Sequence, residues 1–311
     1  MGQSISTEQP LRKIAPLYGL EVANPRHLRE GHSNTNWLFE SQGARYVATV
    51  VDSEPLDFAI AQARILRWLV DHHVATSQIR LTVDGQLAAC VGGQPVLVKR
   101  YIEGETKSRL DPAMLFQVGQ ALARLHQVPA PTWLRAAHRF AQIFEAVVCN
   151  QIDPSFGRWV AEQLRLGQAI SADLPRGLIH ADLFWDNIIF HEGQLQAIID
   201  FERAMFGRFA FDLGMCIVGT CANNRNSIDL NWARELVKGY ESIRPLEHAE
   251  RLAIQSLTQY SAAITACWRF WRYRLDLNSA EKAHLPTIMA DIANQIAAIP
   301  TDHFLKQLWP A

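Results

Sequence analysis

Hydrophobic spacing divides the chain into a first third with strand-like alternation and a remainder with helical period. Short apolar or alternating runs predict strands near 26–30, 37–40 and 46–51, the last two joined as a hairpin around Gln42-Gly43. Three more are predicted at 79–83, 87–91 and 95–99, with Asp84-Gly85 turning the chain between the first pair. Helices are predicted over 7–18, stopped by Gly19, and over 57–72, where Phe58, Ala61, Ile65, Leu66 and Leu69 share one face. Asp111-Pro112 opens another through His126, with Leu115, Val118, Leu122 and Leu125 as its buried stripe. Further helices are expected at 139–150, 156–169, 212–222, 231–240, 246–275 and 280–298. A compact apolar hairpin interrupts them: Ile188-Ile189-Phe190 and 195–199, joined by His191-Glu192-Gly193-Gln194.

This pattern implies an α+β protein of two parts. Segment 1–99 is a small β-rich unit, 100–106 a hinge with Gly104 as its flexible point, and 107–311 a larger, mainly helical unit. With 311 residues, 49% of them hydrophobic, the chain can bury a sizeable core. A net charge of -1 without a basic run argues against nucleic-acid binding by phosphate neutralisation. The five cysteines form no CxxC and have no histidine at zinc spacing, so they read as small buried hydrophobes in a reducing compartment. The start is polar, with no signal peptide, and no apolar run reaches membrane-spanning length. A cytoplasmic protein with no membrane partner is expected.

The chemistry concentrates around the hairpin. His180-x-Asp182 is followed by Asn187 five residues after the aspartate, and the second strand ends in Ile198-Ile199-Asp200-Phe201. Each piece alone is a common turn; their joint spacing carries the reading. Phosphoryl transfer asks a protein for positioning and charge neutralisation, with a carboxylate to take the acceptor's proton. Asp182 has the position of that base, with His180 bracing the loop beside it. Asn187 and Asp200 supply the hard oxygens that Mg2+ prefers. The hairpin would bring these two together at one end. The loop Gly31-His32-Ser33-Asn34-Thr35-Asn36 is small and polar, suited to let backbone N–H groups approach ATP phosphates.

These segments resemble the aminoglycoside phosphotransferase and choline kinase superfamily, and within it the bacterial homoserine kinases. The likeness runs from about residue 10 to about 276. It is carried by Gly31–Trp37, Arg45–Val50, His180-Ala181-Asp182-Leu183-Phe184, Asp186-Asn187, Ile199-Asp200-Phe201, Phe211–Ile217, Gly239–Leu246 and Arg269–Leu275. The resemblance implies a bilobal, protein-kinase-like fold that uses ATP and Mg2+. It places adenine on backbone groups of the hinge, with Arg100 and Ile102 as the best positions. It makes Asp212 a buried brace on the catalytic loop, read also as a helix N-cap.

Departures from the kinase pattern are informative. Thr49 stands where the third-strand lysine of protein kinases is expected, and Gln62 stands near the place of its helix glutamate. Their joint loss is physically consistent, because one charge left alone in a cleft is costly. Homoserine kinases of this fold also tend to carry threonine there. Ser33 replaces a family glutamate, the family's Asp-Trp-Cys reads Gly219-Thr220-Cys221, and 276–311 show little likeness. A small amino-acid alcohol needs a cation for its carboxylate, for which Arg269 and Arg274 are the candidates. Three functions follow: homoserine kinase; a related kinase acting on choline, ethanolamine or an aminoglycoside; or a nucleotide-binding pseudokinase.

Overall fold

Where the chain alternates, it forms one antiparallel sheet. The computed structural model describes residues 9–28, 34–51, 54–134, 139–170, 173–223 and 226–310. The chain divides into two compact units. The first holds residues 1–105 with 189–191 and 196–202; the second holds 106–188, 192–195 and 203–311.

The first unit opens with α1 (Gln9–Ile14), which tightens into a 3-10 turn over Ala15–Tyr18 where Pro16 removes a helical donor. Gly19 stops it in the left-handed region at φ 66°. Strands β1 (Ala23–Leu28), β2 (Asn34–Ser41) and β3 (Ala44–Val51) precede α2 (Leu56–Asp71). Then come β4 (Ile79–Arg80), β5 (Ala89–Val91) and β6 (Gln94–Arg100). The sheet runs β1-β2-β3-β6-β4, with β5 also on β6. One face carries Phe39, Ala48, Val50, Val96 and Val98 onto Leu11, Ile14 and Tyr18. The other carries Val51 and Leu97 onto Ala59 and Ala63 of α2. Tyr18 crosses the first core. Its hydroxyl donates to Val96 O at 2.6 Å and accepts the Ala89 N–H at 3.1 Å, and burial pushes its pKa up to about 12.

The expected strand at 79–83 is only two residues long. Thr82 ends it by donating its hydroxyl to Asp84 and accepting the Gln86 N–H, a side-chain turn that competes with the ladder. Gly104 is pinned where a flexible point was expected. It lies at φ 131°, and a Cβ there would meet Phe190 O at 2.4 Å. The next residue, Glu105, exchanges both backbone hydrogen bonds with Phe190 at 2.9 Å. Glycine is needed there for close approach and not for motion.

The second unit is built of α3 (Pro112–His126), α4 (Arg139–Val148), α5 (Pro154–Ala169), α6 (Phe209–Cys221), α7 (Leu230–Glu241), α8 (His248–Phe270), α9 (Leu285–Ala298) and α10 (Thr301–Leu308). Asp111 caps α3 as read from sequence, accepting the Met114 N–H at 2.8 Å. Between α5 and α6 the chain makes β7 (Arg176–Ile179), the hairpin β8 (Ile188–His191) and β9 (Gln194–Ile198), and β10 (Met205–Arg208), which pairs with β7. The expected long helix over 246–275 becomes π-helical across Trp271–Asp276, and the last-but-one helix starts at Leu285 instead of 280. Asp212 is not an N-cap. Helix α6 begins at Phe209, which puts Asp212 inside its first turn and leaves the carboxylate for another task. Cys216, Cys221 and Cys267 are buried, but Cys90 and Cys149 are exposed, against the expectation for all five. Among the described residues no helix is long and apolar enough to cross a membrane.

Candidate active site

The loop after β7 is held from beneath by one carboxylate. Asp212 accepts the His180 N–H at 2.8 Å and the Ala181 N–H at 2.7 Å. Ala181 takes φ 63°, a left-handed conformation that a non-glycine residue adopts only when its surroundings enforce it. The N–H of Asp182 then donates to His180 Nδ1 at 3.2 Å, so His180 faces inward as a brace and is fully buried. Asp182 O accepts the amide of Asn187 at 2.8 Å and the Phe184 N–H at 3.1 Å. Nitrogen and oxygen diverge from the amide carbon of Asn187, so this bond turns its oxygen away from the loop backbone.

Asp212 is itself the end of a buried polar chain. His126 Nε2 lies 3.0 Å from it and His126 Nδ1 lies 2.6 Å from the Tyr240 hydroxyl. Arg244 donates to that hydroxyl at 3.2 Å and to both oxygens of the fully buried Glu250 at 3.1 Å. Burial opposes the charge on Asp212. Hydrogen bonds from His126 and the loop backbone overcome this and hold its carboxyl below the ordinary value. Burial lowers the pKa of His126, partly offset by Asp212. A neutral His126 donates from Nε2 to Asp212 and accepts the Tyr240 O–H at Nδ1, which satisfies every group.

The Asp182 carboxylate is half-buried and meets Arg203 Nε at 3.3 Å. Arg203 lies over the Trp268 ring at 4.4 Å. Sequence reading missed Arg203; its place three residues after Asp200 was the available signal. Arg269 lies 6.0 Å from the Phe184 ring centroid and within the fields of Asp182 and Asp186. Burial lowers its pKa, while Tyr273 and those two aspartates raise it. Arg274 is placed differently: it donates to Ala283 O at 2.9 Å, pairs with Asp153 at 3.4 Å, and covers the Phe270 ring. Gly219 of α6 underlies the loop. A Cβ there would meet Leu183 O at 2.5 Å and Phe184 Cα at 2.7 Å, which explains why this chain has glycine where the resemblance suggested aspartate.

In the first unit the polar residues of β2 and β3 bond to each other. Thr49 donates to Asn36 Oδ1 at 2.7 Å, and Asn34 donates to Glu202 at 2.5 Å. Gln62 also hydrogen-bonds Glu202, the second residue after Asp200. Asp200 is held at φ 64°. Thr35 is half-buried opposite Val50, while Gly31 and Ser33 lie outside the described residues. The Arg100 N–H is taken by Gln78 O at 2.8 Å, so of the two hinge positions only Ile102 keeps a backbone N–H without a partner among the described residues.

This geometry has a counterpart among known proteins. The model of the phosphotransferase enzyme family matches residues 25–252, and the chain belongs to that family. It is a phosphotransferase with an alcohol group as acceptor. A curated homoserine kinase of Phenylobacterium zucineum is 30% identical over 247 residues, covering 76% of each chain. One from Neisseria meningitidis is 27% identical, covering 82% of this chain and 84% of that one. Among solved structures, a microcompartment-associated aminopropanol kinase superposes with a TM-score of 0.71 at 18% identity, covering 96% of this chain and 99% of that one. An amicoumacin kinase in complex with AMP-PNP, Ca2+ and Ami superposes with a TM-score of 0.68 at 16% identity, covering 96% of each chain. The fold is therefore the protein-kinase-like fold of these enzymes.

Proposed function

We propose that the chain transfers the γ-phosphoryl group of ATP to the side-chain hydroxyl of L-homoserine, giving O-phospho-L-homoserine, a step toward threonine. The observation that carries the chemistry is the presentation of Asp182 on a loop whose backbone Asp212 fixes. That of the acceptor is the run of relatives named homoserine kinase, 27–30% identical over three quarters or more of the chain.

Asp182 faces the acceptor hydroxyl and takes its proton as the bond from that oxygen to the γ-phosphorus forms and the bond to the β,γ-bridging oxygen breaks, releasing ADP. Arg203 holds the carboxylate in one orientation, which lowers the entropy lost on reaching a reactive geometry. Arg269 receives the acceptor's carboxylate, as a half-buried cation suited to a bidentate pair. The Ile102 backbone receives adenine. Asn187 offers an amide oxygen and Asp200 a carboxylate oxygen, each a hard donor that suits Mg2+ and not a soft metal. Mg2+ held by such donors would neutralise charge on the phosphates.

An ADP-release assay over L-homoserine, choline, ethanolamine and an aminoglycoside tests the reading. Turnover with homoserine above the others supports it. Turnover with choline and none with homoserine would transfer the assignment to an amino alcohol lacking a carboxylate. Binding of Mg-ATP without turnover on any acceptor would favour a nucleotide-binding scaffold.

A further inference from the structure

The third-strand lysine of kinases is missing here, and the strand register shows where a lysine stands instead. Lys99 of β6 lies directly opposite Val47, and Thr49 follows Val47 by two residues. Directly paired residues share a face, as do residues two apart, so Lys99 and Thr49 project from the same side of the sheet. Leu97, opposite Thr49, packs on that side against Ala59 and Ala63, so the side is the one turned to α2. Asn36, opposite Thr49 on β2, and Asn34 continue the same polar strip. Neighbouring strands are about 4.8 Å apart, a separation that a four-carbon stem spans.

Lys99 follows the fully buried Val96, Leu97 and Val98, which is an unusual setting for a lysine. Asp200 and Glu202 are the charges that act on it among the described residues. Glu202 is in turn hydrogen-bonded by Asn34 and by Gln62. The helix position that would hold the usual glutamate thus bonds to an acid supplied from elsewhere in the chain. Both members of the familiar pair have moved: the cation by one strand, and the acid from α2 to the segment after Asp200.

We propose that Lys99 is the phosphate-binding lysine of this enzyme, reaching the α- and β-phosphates of the nucleotide from β6, with Glu202 as its positioning partner. This rests on the kinase reading above. An arriving phosphate adds counter-charge to a cation that the sheet has partly desolvated. Gln62 in place of glutamate then makes sense, since a third carboxylate beside Asp200 and Glu202 would be a like-charge neighbour.

Binding of ADP and of adenosine to the full chain, in buffer with magnesium, tests the proposal. The wild type is expected to prefer ADP. Lys99→Met is expected to reduce that preference at least tenfold while leaving adenosine affinity unchanged, and adding Thr49→Lys to it should restore part of the loss. An unchanged preference in Lys99→Met would overturn the proposal and leave the kinase reading standing. A wild type that does not prefer ADP would sink both. A measurement on the unaltered protein covers the case of a variant that does not fold. An amine-acylating ester should modify Lys99, with protection by ADP and none by adenosine; equal protection by both, or by neither, overturns the assignment.

Discussion

Asp212 accepts the Ala181 N–H at 2.7 Å and so holds a non-glycine residue at φ 63° immediately before Asp182. The conformation is one residue from the chemistry, while its cause lies thirty-one positions along the chain. Removing the carboxylate strands two backbone donors and His126 in a dry interior. Asp212→Ala is expected to destabilise the protein by about 3–5 kcal/mol, the usual effect of breaking a buried charged network. Asp212→Asn keeps one acceptor and should lose less. Urea unfolding measures both; equal midpoints in wild type and Asp212→Ala would refute the brace.

The same network sets an acid limit. The folded state resists protonating His126, whereas the unfolded chain takes up that proton near the ordinary value of 6.5. The unfolded state therefore binds more protons as pH falls through this value, and stability declines with it. Asp212 acts in the same direction at lower pH: held below its ordinary 3.8, it contributes above that value and is lost as pH falls through its folded pKa. Unfolding free energy at about pH 5.5 should be lower than at about pH 7.5, and His126→Gln should flatten the difference. A steeper fall in the variant would contradict this.

Gly219→Ala separates local from tertiary effects. In an isolated helix the change is stabilising by about 1 kcal/mol. Here the new methyl meets Leu183 O and Phe184, so the loop must shift. A displacement of about 1 Å near reacting groups lowers turnover by on the order of a hundredfold. The expected result is reduced kcat with ADP affinity unchanged, read by steady-state kinetics and calorimetry.

Arg203→Met removes the guanidinium that touches both Asp182 and the Trp268 ring. Turnover should fall about tenfold, less than in Asp182→Asn, for which a loss of about 10²–10⁴ is expected from removing a general base. The emission of Trp268 should shift as its cation is lost. A variant as fast as wild type would show that the pair plays no part in catalysis.

The residues proposed for the site stand out in the sequence, because phosphoryl transfer asks for particular residue types at short spacings. His180, Asp182, Asn187 and Asp200 fall within 21 consecutive positions, and Asp212 follows closely. Helices with regular stripes, such as α3, were also readable, since burial imposes their period. What escaped depends on pairing across the sheet. Lys99 looked like a strand end, and only its register with Val47 shows which face it shares. Asp212 was readable as a brace on the loop, but not as a residue inside its helix, because α6 starts three residues earlier at Phe209. Arg269 and Arg274 are alike in sequence but differ in the groups that surround them.

The first unit is discontinuous in the chain: residues 189–191 and 196–202 return to it after more than eighty residues spent in the second. Glu202, the acceptor for Asn34 and Gln62, arrives with that return. A fragment ending at residue 105 would therefore leave those side chains without that acceptor and the Glu105 backbone without Phe190. The two units cannot be cut apart or exchanged between relatives by a single crossover. Any chimaera that swaps the first unit must carry 189–191 and 196–202 together with the first 105 residues.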